Sequence, residues 1–437
     1  MLKPAESNAL ADALSKFSQA LPDRDRAALD RLLFLGLPGH DQLKLVSPGA
    51  ILAPGEIAAF DAAKARVEPN QNTKTHSLVV ILKATRRCNL RCTYCRAWRN
   101  DDSHDMSFEV LAEVMAQTLA LPRLKHVEFI WHGGEVTLLE SAFFLKAMFL
   151  QSRLKQSGTR IHNSIQTNGV RISEPLLQLF QHYEFSVGVS IDAPRQLHDS
   201  LRLNKAGRPT WDKVRSGIEA MRAKELPLAL LCVVGPKTVE LGAEALLNDL
   251  VGLNVRDVGL LNMVPENGCE CRAPADSFIE WREYLDFMAE VYTLWQSRFA
   301  DRLVLRELDD LHRSLQGGQP TLCYFAGNCA GHYLTFEPDG RVAACDKYVG
   351  LPEFGFGSLK NRSLPDLFRV SGNLKSAKSD IEDGMSEMSG CPWYEVCQGG
   401  CPHDRRLTQA FGTAEPGCCG YAPLLEHIAT HQKAAQT

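Results

Sequence analysis

The chain has 437 residues, of which 45% are hydrophobic and 23% charged, and its formal net charge is −4. This length and composition describe an ordinary globular protein with about two or three cores. They leave no basic surplus for a nucleic-acid partner and no apolar run long enough for a membrane span.

Met1–Asp23 spreads Leu10, Ala13, Leu14, Phe17 and Leu21 at helical spacing. It lacks the compact apolar centre and cleavage site of a signal peptide, so a cytoplasmic setting is expected. Residues 1–73 read as an N-terminal extension, helical around Asp25–Leu35, that serves as a cap or in peptide recognition. The polar stretch Glu68–Thr75 reads as a linker.

A regular rhythm follows. Apolar runs at Leu78–Leu82, Val127–Trp131, Ile161–Gln166, Phe185–Ile191, Leu228–Val234 and Val258–Val264 are expected as buried strands. Helical patterns separate them at Phe108–Leu121, Ser141–Leu154, Glu174–Tyr183, Trp211–Lys224 and Gly242–Leu253. Alternation of this kind predicts an α/β fold of parallel β/α units, either an open partial (β/α)6 barrel over 74–265 or a doubly wound sheet. In both, ligands sit at the carboxyl ends of the strands. Four polar motifs fall there: Cys88–Cys95, Gly133-Gly134-Glu135, Gln166-Thr167-Asn168-Gly169 and Ser190-Ile191-Asp192. Residues 266–320 read as a helical linker, with a helix at Phe278–Arg298. Residues 321–437 read as a Cys-, Gly- and Pro-rich unit that opens on a hairpin, Tyr333–Phe336 with Val342–Cys345, turning at Pro338-Asp339-Gly340.

Fourteen cysteines are present, none before Cys88, three within 88–95 and eight between Cys323 and Cys419. Clustered thiols in a reducing compartment point to metal ligation rather than disulfides. Cys232, inside an apolar run, fits a buried structural thiol instead. The pair Cys269-Glu270-Cys271 reads as incidental, and His132 as a packing or hydrogen-bonding residue. Cys88-x3-Cys92-x2-Cys95 puts three thiolates in one loop, suited to three irons of a [4Fe–4S] cube with the fourth iron open. A structural zinc site would call for four ligands in paired C-x2-C form.

The motif C-N-L-R-C-T-Y-C resembles the cluster loop of radical S-adenosylmethionine (SAM) enzymes. The tail resembles the SPASM extension of their peptide-modifying members, and together the resemblance spans residues 77–425. It implies a SAM-binding [4Fe–4S] cluster, one or two auxiliary [4Fe–4S] clusters, and SAM itself as cofactors. Gly133, Gly134 and Glu135 would receive the SAM amino group, and Tyr94 would pack by the adenine. Gln166, Asn168 and Ser190 would approach the ribose and methionyl parts, and Arg202 would pair with the SAM carboxylate. Cys323, Cys329, Cys345 and Cys401 would hold one auxiliary cluster. Cys391, Cys397 and Cys419, or Cys418, would hold another. Met388 stands where the family usually has a further cysteine, which leaves the last ligand of that second cluster open. Asp346 stands where sulfatase-maturing relatives carry a general base.

The chemistry so implied is reductive cleavage of SAM to a 5′-deoxyadenosyl radical, which abstracts hydrogen from an inert C–H bond. The first reading is a maturase that crosslinks a ribosomally made precursor peptide, of cyclophane type or similar, with a flavodoxin- or ferredoxin-type electron donor. The second is an anaerobic sulfatase-maturing enzyme that makes formylglycine. The third is a non-catalytic iron–sulfur scaffold or sensor, which would have no need of a SAM pocket.

Overall fold

The computed structural model describes residues 39–67, 76–95, 104–264, 278–327, 329, 331–348, 351–413 and 415–434. The expected helices before residue 39, the linker Glu68–Thr75 and the pair Cys269/Cys271 lie outside these residues or mostly so.

One ten-stranded sheet organises the molecule, in the order β10-β9-β8-β1-β2-β3-β4-β5-β6-β7. The six expected strands are β1 (Ser77–Thr85), β2 (His126–Gly133), β3 (Arg160–Thr167), β4 (Ser186–Ser190), β5 (Leu228–Val234) and β6 (Asp257–Asn262). They pair in parallel, each with the next. The expected helices lie between them, at Phe108–Leu119, Ser141–Leu154, Glu174–His182, Trp211–Ala223 and Ala243–Gly252.

Two features go beyond the sequence expectation. The linker contributes a short seventh parallel strand, β7 (Val304–Leu305), on the β6 edge. The tail is joined to the same sheet. Its hairpin, β8 (Tyr333–Phe336) and β9 (Arg341–Ala343), is antiparallel within itself, but β8 pairs in parallel with β1. β10 (Gly355–Ser358) extends the sheet beyond β9. The start of the Cys-rich tail is therefore covalently remote from β1 and hydrogen-bonded directly to it.

Register sorts the side chains onto two faces, because neighbours in a parallel pair point the same way. One face carries Leu82, Trp131, Ile165 and Val189, all buried. There the helix Ser141–Leu154 inserts Phe144, which meets Trp131, Phe180 and Phe185 edge-on at centroid distances of 5.4, 5.3 and 6.3 Å. Full burial of each such side chain contributes about 1.5–3 kcal/mol. The opposite face carries Lys83, His132, Gln166 and Ser190 at the carboxyl ends of β1 to β4, and the last three are only partly buried. Polar groups that a helix-covered face would exclude are gathered there.

Candidate active site

The loop after β1 carries Cys88, Cys92 and Cys95, all three with free thiols. It is tied down on two sides. Arg91 and Thr93 N–H donate to the carbonyls of Leu203 and Leu201. On the other side, Gly134 N–H donates to Thr85 O and Glu135 N–H to Arg87 O, each at 2.7 Å. This approach explains the two glycines: a Cβ at Gly133 would lie 2.2 Å from Thr85 O, and one at Gly134 2.2 Å from Arg87 O.

Burial pushes the Cys88 thiol up to about 11 and the Cys92 thiol up to about 12. Leu90 N–H, at 3.3 Å, and Asn168 Nδ2, at 3.9 Å, both point at Cys88 Sγ. Such thiols ionise when a metal binds, and donors aimed at sulfur suit the resulting thiolate. Among the described residues no three Cys, His, Asp or Glu side chains could share one metal ion. Three thiols in one loop suit three irons of a cube.

Glu135 and Arg202, expected to face SAM, both carry protein partners. The Glu135 carboxylate is buried and accepts from Thr137 N and Oγ1, Thr167 Oγ1 and Asn168 N at 2.6–3.1 Å. It braces the ends of β2 and β3 rather than standing open to a ligand. Arg202 is also buried, and the two-pronged edge expected to face a SAM carboxylate lies on Asp192, with Nε–Oδ2 2.8 Å and Nη2–Oδ1 3.1 Å. Asp192 accepts as well from Tyr94 Oη at 2.8 Å and Val233 N at 3.1 Å. The Arg202 guanidinium lies 5.6 Å from the Tyr94 ring centroid. Asp192, which the sequence places in the motif closing the fourth strand without assigning it a role, is the organising residue. Gln166 donates to Ser190 Oγ at 2.7 Å, and Asn168 to Asn89 Oδ1 at 2.7 Å.

Asp346, which follows Cys345 after the hairpin, reaches the same polar face. Its carboxylate forms an ion pair with Lys83 Nζ, and Oδ2 lies 4.0 Å from His132 Nε2. His132 Nδ1 accepts from Gly133 N at 2.7 Å and lies 3.0 Å from Lys83 Nζ. With both donors on Nδ1, the ring hydrogen belongs on Nε2, toward Asp346. Burial and then Lys83 hold the His132 imidazole down at about 4, while Lys83 and His132 hold Asp346 down at about 2 against its burial. Lys83 was legible as a lone charge in an apolar strand, and the sequence reading passed over it.

The eight tail cysteines fall into two electrostatic neighbourhoods. Cys323, Cys329, Cys345 and Cys401 form one, a linked set in which a thiolate on one cysteine opposes ionisation of its neighbours. Cys391, Cys397, Cys418 and Cys419 form the other, with Cys397 and Cys419 Sγ 3.4 Å apart. Cys418 therefore stands among the second set alongside Cys419. Met388, at the position of the missing cysteine, is buried with its sulfur 3.7 Å from Arg405 Nη1. Cys232 is fully buried on the helix-covered face.

Residues 82–250 match the radical SAM superfamily. The chain carries a radical SAM domain, and its cofactors are those of that class, SAM and [4Fe–4S] clusters. It is 27% identical over 370 residues to the serine-type anaerobic sulfatase-maturating enzyme of Bacteroides thetaiotaomicron, covering 79% of this chain and 87% of that relative. It is 28% identical over 335 residues to the cysteine-type enzyme of Clostridium perfringens, covering 74% and 88%. Native anSMEcpe with bound AdoMet shares the fold at TM-score 0.70 and 24% identity, over 82% of this chain and 97% of that one. Streptococcus suis SuiB bound to precursor peptide SuiA gives TM-score 0.55 at 13% identity, over 79% and 75%. The architecture is the α/β radical SAM fold that the anSMEcpe structure shares, and among the described residues no helix is long and apolar enough to cross a membrane.

Proposed function

We propose that this protein oxidises the side chain of a Cys or Ser residue in a protein or peptide substrate to formylglycine. The observation that carries the reading is Asp346, a carboxylate beside Lys83 and His132 on the same sheet face as the strand leading into the cluster loop. The curated relatives named as sulfatase-maturating enzymes, matched over most of their length, support it. The crosslinking reading has less support: the neighbour bound to a precursor peptide, Streptococcus suis SuiB, is more distant in fold, at TM-score 0.55 against 0.70 for anSMEcpe.

When bound to Cys88, Cys92 and Cys95, the cluster together with SAM supplies one-electron chemistry that removes a hydrogen atom from the substrate β-carbon. The chain's own residues then have three tasks. Gly133 and Gly134 hold the cluster loop against β2. Arg202, Asp192 and Tyr94 hold its other flank. Asp346, oriented by Lys83, accepts the proton lost from the substrate S–H or O–H, a group acidified by the neighbouring radical centre. Cys323, Cys329, Cys345 and Cys401 would hold an auxiliary cluster, which would supply an acceptor for the electron that leaves with the proton. Cys391, Cys397, Cys418 and Cys419 supply a second complete set without Met388.

The test is anaerobic incubation of the reconstituted full chain with SAM, dithionite and a sulfatase-type peptide bearing Cys or Ser. The expected product carries an aldehyde that reacts with a hydrazine reagent and is located by tandem mass spectrometry. A product lacking two hydrogens but unreactive to hydrazine would restore the crosslinking reading.

A further inference from the structure

Two cations stand beside the first tail thiol set, and they differ in how their charge is balanced. Lys347 Nζ lies 3.9 Å from Cys401 Sγ, and both Asp404 oxygens accept from it at 2.9 Å. Its charge is cancelled locally. Arg405 is 8% exposed, and among the described residues no carboxylate lies within ion-pair distance of it. Its guanidinium lies flat on Gly384, where a Cβ would stand 2.5 Å from Nη1 and Nη2. Nη1 points at the Met388 sulfur. Arg405 lines one cavity of about 240 Å³ together with Cys329, Cys345, Met388 and Gly384. Its charge also favours the ionised form of the Cys329 thiol.

A buried guanidinium without a carboxylate is costly unless an anion faces it. The glycine slot shows that the fold makes room for it. Asp380, Asp383 and Glu387 also line this cavity, but none of them is within ion-pair distance of Arg405, which leaves the cluster with its four thiolates as the anion to face it. We propose that Arg405 is the counter-charge of the auxiliary cluster ligated by Cys323, Cys329, Cys345 and Cys401, and that it raises that cluster's reduction potential. A positive charge nearby stabilises the reduced, more negative state, and net charge is one of the levers that set such potentials. In this role Arg405 acts through the cluster, as a tuning residue. The inference rests on the assignment of those four cysteines and not on which residue the enzyme oxidises.

The test uses the full chain, reconstituted anaerobically without peptide, and compares wild type with Arg405→Gln and Arg405→Lys. Readouts are iron and sulfide content and potentiometric titration followed by electron spin resonance. The signal lost in Cys329→Ala identifies the cluster concerned, and the signal lost in Cys95→Ala identifies the SAM-binding one. The first should move to lower potential in Arg405→Gln and stay near wild type in Arg405→Lys, while the second stays put. If Arg405→Gln loses the auxiliary iron and Arg405→Lys keeps it, the charge role also stands. An unmoved signal in Arg405→Gln, equal shifts in both clusters, or iron loss in both variants overturns the proposal. A wild-type protein with no Cys329-dependent signal removes the ligand assignment, and the proposal with it.

Discussion

Lys83 and Asp346 come from opposite ends of the domain and meet as an ion pair across the β1–β8 seam, with His132 alongside. Lys83 sits on β1, five positions before Cys88, and is 5% exposed. A lysine so buried is held by its partner, and it fixes the Asp346 carboxylate in return. If Asp346 takes the substrate proton, removing it should spare SAM cleavage and impair product. Asp346→Ala is expected to lower product formation by about 10²–10⁴-fold, with 5′-deoxyadenosine still formed. Lys83→Met should go the same way more mildly, and the double variant should resemble Asp346→Ala, since Lys83 acts through Asp346. Parallel quantification of 5′-deoxyadenosine and product decides it; unchanged product in Asp346→Ala removes the base assignment.

Gly134 provides a test of how the cluster loop is held. A Cβ there meets Arg87 O at 2.2 Å and Arg87 C at 2.6 Å, both backbone atoms one residue from Cys88. Backbone cannot step aside as a side chain can, so Gly134→Ala must displace the loop. The expected result is loss of the iron held by Cys88, Cys92 and Cys95 and of 5′-deoxyadenosine production, as in Cys95→Ala, with auxiliary iron retained. Iron analysis beside Cys232→Ala, a fully buried thiol on the helix-covered face and outside the cluster loop, gives the control. Full iron loading in Gly134→Ala would show that the contact is dispensable.

Local pattern and long-range pairing account for what the sequence revealed and what it concealed. The strands from Ser77 to Asn262 and the helices between them follow from period and composition, which are local. Gly133-Gly134 and the cysteine spacing are local as well. The pairing of β8 with β1 is not, because nothing within Tyr333–Phe336 specifies a parallel partner. The same holds for Lys83 with Asp346, and for Asp192 as the acceptor of Arg202 and Tyr94. Arg202 and Glu135 were noticed as charged residues near the site, but a sequence does not show that a protein partner already occupies a charged group. Their partners, Asp192 two residues past β4 and Thr167 and Asn168 at the end of β3, are brought to them by the sheet order.

Asp192 should matter more for integrity than for chemistry. Its carboxylate balances the buried Arg202, anchors Tyr94 and accepts from the β5 backbone at Val233. Asp192→Ala leaves Arg202 buried without its partner, and breaking such a pair costs about 3–5 kcal/mol. A clearly lower anaerobic unfolding midpoint is expected. Asp192→Ala combined with Arg202→Met should recover part of the loss, because the stranded charge is gone. An additive double variant would argue that Asp192 acts through Tyr94 or Val233 instead.

His198 gives the fold a pH dependence whose sign follows from its bonds. It is fully buried; Nδ1 accepts from Asp192 N at 3.2 Å, and Nε2 faces Thr210 Oγ1 at 3.1 Å. Thr210 gives its own hydrogen to Arg202 O at 2.6 Å, so His198 must donate from Nε2 and is neutral. Burial and then Arg202 hold it down at about 4, against the opposing pull of Asp192 and Asp199. Between about 4 and the ordinary value of 6.5, the unfolded chain binds a proton that the folded chain refuses. Stability should therefore rise with pH across that window and be lost as pH falls, by up to about 3 kcal/mol from this residue alone. Protonation at Nδ1 would also break the bond from Asp192 N. Denaturant midpoints at pH 4.5, 5.5 and 7, approximate settings chosen to bracket the window, should converge between wild type and His198→Gln as pH falls, because the variant lacks the titrating group. A wild-type pH slope that His198→Gln reproduces in full would assign it instead to His132, which burial and Lys83 hold down in the same window, or to the carboxylates.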